Sequence, residues 1–168
     1  VNFPQRRLRR LRRTPALRRL VAETRLTPDD LIAPLFVREG IDSPVPIVSL
    51  PGVVQHTRES LRKEVAELKA LGISGVILFG VPAEKDPQGS GAWDPDGIVQ
   101  VAVQELRDDH GDDLVVMTDL CLDEYTDHGH CGLVTPEGLV DNDTTLDRYA
   151  EIAVAQAEAG VDLVAPSG

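Results

Sequence analysis

The sequence predicts an α/β fold built from repeated strand–helix units. Four short apolar runs lack the polar–apolar alternation of a half-exposed strand, and such runs are typical of the buried strands of a parallel sheet. Longer segments between them carry apolar residues at helical spacing. Repeated βα units form either an open doubly wound sheet or a closed (β/α)8 barrel, and this pattern leaves both architectures open.

The predicted strands are all parallel and span residues 31–37, 75–81, 114–122 and 161–167. Pro34 lies in the first strand and indicates an edge or an irregularity there, because proline has no amide proton for a sheet. Residues 38–56 and 82–97 are rich in glycine and proline, so we predict two long loops. Long loops in a compact domain are often functional.

Three helices are predicted, over residues 57–71, 96–109 and 144–159. Thr57 and Asp143 are suitable N-caps, and Gly72 and Gly160 suit the left-handed positions that end helices. The inward face of the third helix is predicted to comprise Leu146, Tyr149, Ala150, Ala153 and Ala157.

The composition is that of an ordinary globular domain. The chain has 168 residues, of which 42% are hydrophobic and 27% charged. No apolar run approaches the roughly 20 residues of a membrane helix, and the N-terminus lacks the apolar core of a signal peptide. Two cysteines without a secretory signal favour a reducing compartment, so we expect a cytoplasmic protein.

Positive charge is concentrated at the N-terminus. Residues 1–25 hold nine of the 17 basic side chains but only one of the 28 acidic ones, Glu23. We therefore predict a basic arm, residues 1–30, on an acidic body, residues 31–168. Such an arm could bind nucleic acid or another copy of the chain. Self-association is favoured, since Phe3 is its only aromatic residue and leucines recur at helical spacing: Leu8, Leu11, Leu17 and Leu20. The acidic body disfavours nucleic acid and phospholipid.

A candidate metal site follows the third predicted strand. Asp119, Cys121 and Asp123 occupy alternate positions, and side chains two apart on a strand share a face. A turn containing Gly129 then returns Cys131 toward them. Two sulfurs and one carboxylate suit a tetrahedral zinc ion that keeps one open position. The spacing matches no standard zinc finger, so small buried cysteines remain the alternative, although strand ends are where α/β proteins build sites.

Residues 119–132 resemble the metal motif of the porphobilinogen synthase (aminolevulinate dehydratase) family. Zinc members of that family carry three cysteines; here Asp123 stands in place of the middle one, and Asp127 replaces the usual serine. Further blocks resemble the family in the same order along the chain: residues 6–13, 30–37, 51–53, 78–82, 85–86, 89–90 and 165–167.

The resemblance implies a (β/α)8 TIM barrel, of which this chain supplies the N-terminal arm and about the first four βα units. Since a barrel needs eight strands and typically about 250 residues, we expect the sequence to be truncated. The implied activity is the condensation of two 5-aminolevulinate molecules to porphobilinogen, with loss of water, in tetrapyrrole and haem biosynthesis. The Schiff-base lysines of the family would lie beyond this chain, so the fragment alone is expected to be inactive.

The resemblance also assigns roles to particular residues. Asp119 would be the catalytic proton-transfer carboxylate, and Ser167 and Phe79 would bind substrate. Zn²⁺ would be held by Cys121, Asp123 and Cys131, with Mg²⁺ as the other candidate ion. The arm would join copies of the chain in a homo-oligomer, an octamer by family resemblance.

Two other hypotheses are consistent with the sequence. One is a non-catalytic metal-binding α/β module that uses the basic arm for assembly. In its favour, Lys63 and Lys69 lie on a predicted helix and Lys85 in a loop, so none is placed as a nucleophile at a strand end. The other is a different barrel lyase or aldolase with its own metal.

Overall fold

A six-stranded sheet in the order β2-β3-β1-β4-β5-β6 organises the protein. The structure is a computed structural model that describes residues 4–5 and 8–168. Its strands are β1 (Ile32–Arg38), β2 (Val45–Pro46), β3 (Val54–His56), β4 (Gly75–Val81), β5 (Val115–Leu120) and β6 (Leu163–Pro166). Its α-helices are α1 (Pro15–Leu20), α2 (Arg58–Ala70), α3 (Ile98–His110) and α4 (Asn142–Ala159). The predicted α/β class is confirmed.

One face of the sheet packs against helices. Alternate residues of β1, β4 and β5 are buried there with apolar side chains of α2 and α3, among them Val37, Leu78, Val116, Val65 and Leu106. Burying one such side chain stabilises the fold by about 1.5–3 kcal/mol. The opposite face is open, and its apolar side chains Ile32, Val115 and Leu163 are 38–53% exposed. The sheet is therefore built like a barrel wall, with helices on one side only.

β4 and β5 separate from each other toward their carboxyl ends. β1 pairs with β4 over seven residues, through Arg38 and Val81. The ladder between β4 and β5 stops at Leu78 and Thr118, whereas β5 stays paired with β6 as far as Leu120 and Pro166. The end of β5 therefore leans toward β6 and away from β4, which leaves room for side chains between the two strand ends.

Several predicted elements agree with the structure. Strand 75–81 is confirmed at both ends, and α2 begins after Thr57, whose hydroxyl accepts a hydrogen bond from Ser60 N. Gly72 follows α2 with a φ of 91°, as the predicted left-handed ending requires. Pro34 lies inside β1 next to β4, but β3 pairs with β1 only at Phe36 and Val37, so one side of β1 is unpaired at the proline.

Other predictions are wrong in detail. The loop predicted over residues 38–56 contains β2 and β3, so the sheet has six strands, and β2 is antiparallel to β3. The third predicted strand ends at Leu120 instead of residue 122. Asp141, not Asp143, caps α4 by accepting a hydrogen bond from Thr144 N. The buried residues of α4 are Thr145, Ile152, Gln156 and Ala159, and Leu146, Ala150 and Ala157 are exposed instead of facing inward.

The described part of the arm is exposed. It contains a 3-10 helix, Arg10–Arg12, the short helix α1, and a second 3-10 turn, Pro28–Asp30. Leu8, Leu11 and Leu20 are 57–79% exposed. Phe3, Arg6 and Arg7 lie outside the described residues, and the division of the chain at residue 30 stays a prediction. In the part of the chain that the structure describes, no helix has the length and hydropathy to cross a membrane.

Arg107 on α3 ties together the amino-terminal ends of β5 and β6. Its guanidinium donates hydrogen bonds to the carbonyl oxygens of Gly160, Gly111 and Leu114 at 2.7–3.0 Å and to the Asp162 carboxylate. The same carboxylate accepts a hydrogen bond from Val116 N at 2.7 Å. Arginine suits this position because its planar guanidinium presents several donors in fixed directions.

Replacing Arg107 with methionine should lower the free energy of unfolding by about 1–3 kcal/mol, since it removes several part-buried bonds to carbonyl and carboxylate oxygens. Urea denaturation of the full-length protein would measure the loss. Arg62→Met is the matched control, because Arg62 pairs with Asp109 at an exposed site. Its cost should stay below about 1 kcal/mol. Equal costs for the two variants would contradict the structural role of Arg107.

Candidate metal centre

Asp119 lies near the carboxyl end of β5 and faces the open side of the sheet. It is half-buried, while its neighbours Thr118 and Leu120 point into the helix layer. Cys121 and Asp123 lie beyond the end of β5, so the strand alternation that was expected to align them does not extend to them. A turn brings them together instead: Tyr125 N and Thr126 N both donate hydrogen bonds to Leu122 O at 2.9 Å.

A second turn returns Cys131 to the end of β5. Thr126 Oγ1 donates a hydrogen bond to His130 O at 2.9 Å. Gly132 lies close to the start of α4. A Cβ on Gly132 would be 2.7 Å from Cγ1 of Val140, just before the helix, and 2.8 Å from Oγ1 of Thr145 in its first turn. Only glycine fits this contact, which lets the exposed Cys131 approach the buried Cys121.

The three predicted ligands meet in space. The ligand atoms of Cys121, Asp123 and Cys131 all lie within 4.8 Å of one another, and neither cysteine of this described region is in a disulfide. Around a tetrahedral zinc ion with Zn–S bonds of about 2.3 Å, neighbouring ligand atoms would be about 3.8 Å apart. A small movement of the three ligand atoms toward one another would give this spacing. The group could therefore hold a metal ion and leave a fourth coordination position open.

Burial controls protonation at the site. It raises the pKa of the Cys121 thiol to about 11, so the thiol is neutral near pH 7 and a metal ion must displace its proton. Burial also raises the pKa of Asp119, as does the Asp123 charge, whereas a hydrogen bond from Ser167 lowers it. Asp119 therefore keeps a proton to higher pH than an exposed aspartate.

Glu124 is a further carboxyl group of this cluster that the sequence analysis missed. Burial, followed by the negative charges of Asp123 and Asp119, raises its pKa to about 8, and Lys85 opposes the shift. The sequence signal that could have identified Glu124 is the presence of three carboxylates within six residues: Asp119, Asp123 and Glu124. Lys85 thus acts electrostatically on the site from its loop.

The two predicted substrate residues lie at this edge of the sheet. Ser167 N donates a long hydrogen bond, 3.4 Å, to Leu120 O, which places Ser167 beside the end of β5. Phe79 stacks on Phe36 with ring centroids 5.1 Å apart. Alternation along β4 and β5 puts Phe79 on the same open face as Asp119.

The loop after β4 is joined to residues 121–132, the metal loop. The sequence analysis also missed this connection. Asp86 N donates to Tyr125 O at 3.3 Å, and Asp127 N donates to Asp86 O at 3.2 Å. Gly89 allows close packing, since a Cβ there would lie 2.9 Å from Leu122 Cδ2. The two loops therefore form one unit over the carboxyl ends of β4 and β5.

The Asp86 carboxylate shapes this unit. It accepts hydrogen bonds from Gln88 N at 2.7 Å, Ser90 N at 3.0 Å and Ser90 Oγ at 2.5 Å. The hydrogen bond from the Ser90 hydroxyl, followed by those from the backbone amides, holds the pKa of Asp86 below its ordinary value of 3.8. The carboxylate is therefore ionised at neutral pH.

The fold and the site together define a parallel α/β protein of the barrel class, with a metal-capable group at its strand ends. Comparison with known proteins narrows this class. The family model described as delta-aminolevulinic acid dehydratase matches residues 5–168. The chain therefore belongs to the delta-aminolevulinic acid dehydratase family.

Relatives and a solved structure agree with this assignment. The delta-aminolevulinic acid dehydratase of Streptomyces coelicolor is 59% identical over 99% of the chain, and that of Mycobacterium tuberculosis is 56% identical over the same share. A crystal structure of delta-aminolevulinic acid dehydratase (porphobilinogen synthase) from Toxoplasma gondii, in complex with the reaction product porphobilinogen, matches with a TM-score of 0.91 and 36% identity. It covers 97% of this chain and 47% of the Toxoplasma chain. The chain spans about half the length of the curated relatives it matches, 51% in both bacterial proteins.

Replacing Asp86 with asparagine should speed amide hydrogen exchange at residues 86–90 and 125–128. Because the pKa of Asp86 is lowered in the folded state, its stabilisation is complete above the unfolded pKa near 3.8 and is lost as the pH falls through the lower folded value. The difference from the unmodified protein should therefore persist from pH 7 down to about pH 4.5. Exchange measured by mass spectrometry at both pH values would test this.

Glu84→Gln is the matched control, since it removes the same charge from the same loop. The Glu84 side chain is exposed and takes no part in the turn that Asp86 forms with Gln88 and Ser90. It should leave exchange at residues 86–90 unchanged. Equal acceleration in both variants would show that net loop charge, and not the Asp86 turn, controls the loop.

Proposed function

We propose that the protein containing this chain is a porphobilinogen synthase, a hydro-lyase that condenses two 5-aminolevulinate molecules to porphobilinogen with loss of water. The observation that carries the proposal is the convergence of Cys121, Asp123 and Cys131 beside the half-buried Asp119 at a strand end. Family membership supports the same activity, and so does the likeness to a Toxoplasma gondii enzyme whose crystal structure is a complex with its reaction product, porphobilinogen. The product places the enzyme in tetrapyrrole and haem biosynthesis.

Zinc is the ion that suits the donor set best. Thiolate ligands favour Zn²⁺, whereas Mg²⁺ prefers an octahedral shell made only of oxygen and several waters. Cys121, Asp123 and Cys131 would hold it. When bound there, zinc would act as a Lewis acid toward a substrate carbonyl or hydroxyl. A carboxylate in place of one thiolate should make the site weaker than a three-cysteine site.

Asp119 would transfer protons at this site. Its raised pKa brings the carboxyl group closer to neutral pH, where a general acid–base works most effectively. Ser167 lies near enough to lower the pKa of Asp119, and its hydroxyl would bind a polar substrate group beside that carboxylate. Phe79 would pack against the carbon chain of the substrate. The amines that form Schiff bases would come from parts of the protein outside this chain.

The arm would join copies of the protein. Its arginines are opposite in charge to the acidic body, and its exposed leucines Leu8, Leu11 and Leu20 offer apolar surface for a partner. We therefore propose a homo-oligomer assembled through residues 1–30, an octamer by family resemblance. Two metal-binding thiols need a reducing environment, so the cytoplasm is the proposed location.

Replacing Asp123 with cysteine should tighten zinc binding on the order of tenfold or more, because a soft thiolate replaces a carboxylate. Competition with a chromophoric chelator on the full-length protein would measure the affinity. Cys131→Ser is the companion variant and should weaken binding, since it removes a sulfur ligand. Unchanged affinity in both variants would show that zinc binds elsewhere.

Porphobilinogen formation by the full-length protein should disappear on chelation and return with zinc. Asp119→Asn should lower kcat by about 10²–10⁴, the usual contribution of a general acid–base, while zinc binding is retained. A colorimetric assay for the pyrrole product would measure both. Activity that follows magnesium and ignores zinc would show that the metal assignment is wrong. A zinc-loaded protein that forms no porphobilinogen would favour a non-catalytic module.

A further inference from the structure

The hydroxyl of Tyr149 lies where three segments of the candidate metal centre meet. Tyr149 is on α4, and its ring packs against the apolar cluster that contains Leu120, Leu122 and Ile152. From there Oη donates a hydrogen bond to the carbonyl oxygen of Cys131 at 2.7 Å. The same oxygen lies 3.6 Å from Sγ of Cys121. One side chain thus contacts both sulfur-bearing residues.

The segment after β6 also reaches this hydroxyl. A Cβ on Gly168 would overlap Oη of Tyr149 and lie 3.2 Å from Cys121 Sγ. Because Gly168 has no side chain, its backbone can lie directly against the Tyr149 hydroxyl. Tyr149 joins the end of β5, the turn that carries Cys131 and the end of β6.

The turn that carries Cys131 needs such a restraint. Cys131 is exposed, and it lies between Gly129, which has a φ of 72°, and Gly132. Glycines leave a segment with more conformational freedom to lose when it becomes ordered. Cys121, by contrast, is buried directly after a paired strand. The separation of the two sulfurs therefore depends mainly on what fixes Cys131.

We propose that Tyr149 is a positioning residue of the metal centre, whose hydroxyl holds the backbone of Cys131 so that its sulfur stays at binding distance from Cys121. The inference rests on the zinc centre proposed above and does not depend on the reaction. Outer partners that orient metal ligands typically contribute about 10–100-fold to metal affinity. A phenol suits this role because its rigid ring is anchored in the core and its single O–H reaches the loop.

Tyr149→Phe tests the proposal, since it keeps the packed ring and removes only the hydroxyl. We expect zinc affinity of the full-length protein, measured by chelator competition at fixed pH, to fall about 10–100-fold. In the Co²⁺-substituted protein, the thiolate-to-cobalt charge-transfer band should lose intensity or shift, because it reports sulfur–metal geometry. Far-UV circular dichroism should be unchanged.

Ile152→Val is the matched control. Ile152 is 1% exposed in the same cluster on the same helix, but it is no part of the hydrogen-bond path to the ligands. It should lower the melting temperature without changing zinc affinity or the cobalt band. Equal loss of affinity in both variants would mean that Tyr149 acts only through packing and would overturn the proposal.

The other outcomes are also decisive. Unchanged zinc affinity and an unchanged cobalt spectrum in Tyr149→Phe would overturn the proposal directly. An unmodified protein that binds neither Zn²⁺ nor Co²⁺ would overturn both this inference and the zinc centre. A protein whose zinc affinity depends on the Tyr149 hydroxyl but that forms no porphobilinogen would contradict the proposed reaction and leave the inference standing.

Discussion

Parallel pairing brings the carboxyl ends of β4, β5 and β6 to one edge of the sheet, and the candidate site depends on how that pairing ends. β5 leaves β4 after Leu78 and Thr118 but stays with β6 to Leu120. The gap between the ends of β4 and β5 leaves space for the metal loop and for the loop that contains Asp86. The contact on the β6 side places Ser167 beside Asp119. A longer β4–β5 ladder would close the space that these residues occupy.

The site concentrates negative charge that is costly without a cation. Burial, followed by the charges of Asp123 and Asp119, raises the pKa of Glu124, and burial together with the Asp123 charge raises that of Asp119. The buried Cys121 thiol lies beside them. Lys85 offsets this charge only in part, from an exposed loop. A divalent ion would be the largest local charge and would reverse these shifts. The same arrangement therefore favours a divalent cation, which the thiol and carboxylate groups could hold.

The ligands are supported from several directions. Asp86 holds the neighbouring loop against Tyr125, Gly132 brings Cys131 close to α4, and the Tyr149 hydroxyl reaches the Cys131 carbonyl. Each support comes from a different element, so the geometry of the three ligands reflects the packing of the whole strand edge. Arg107 fixes the opposite ends of β5 and β6. The two strands that carry the site are thus restrained at both ends.

Local sequence determined the elements whose signals are local. Strand 75–81 follows from an unbroken apolar run, and α2 follows from its apolar stripe between Thr57 and Gly72. The metal-capable group of Cys121, Asp123 and Cys131 could also be named from the residues. Tertiary structure alone decided the end of β5, the inclusion of β2 and β3 in the sheet, and the contacts of Asp86 and Tyr149 with the metal loop. The Asp86 and Tyr149 contacts join residues 18 to 41 positions apart, and β3 pairs with β1 at a separation of 19 residues. The end of β5 depends on which neighbouring strand stops pairing first. Periodicity and capping act over a few residues, so they carry no information about such distant partners.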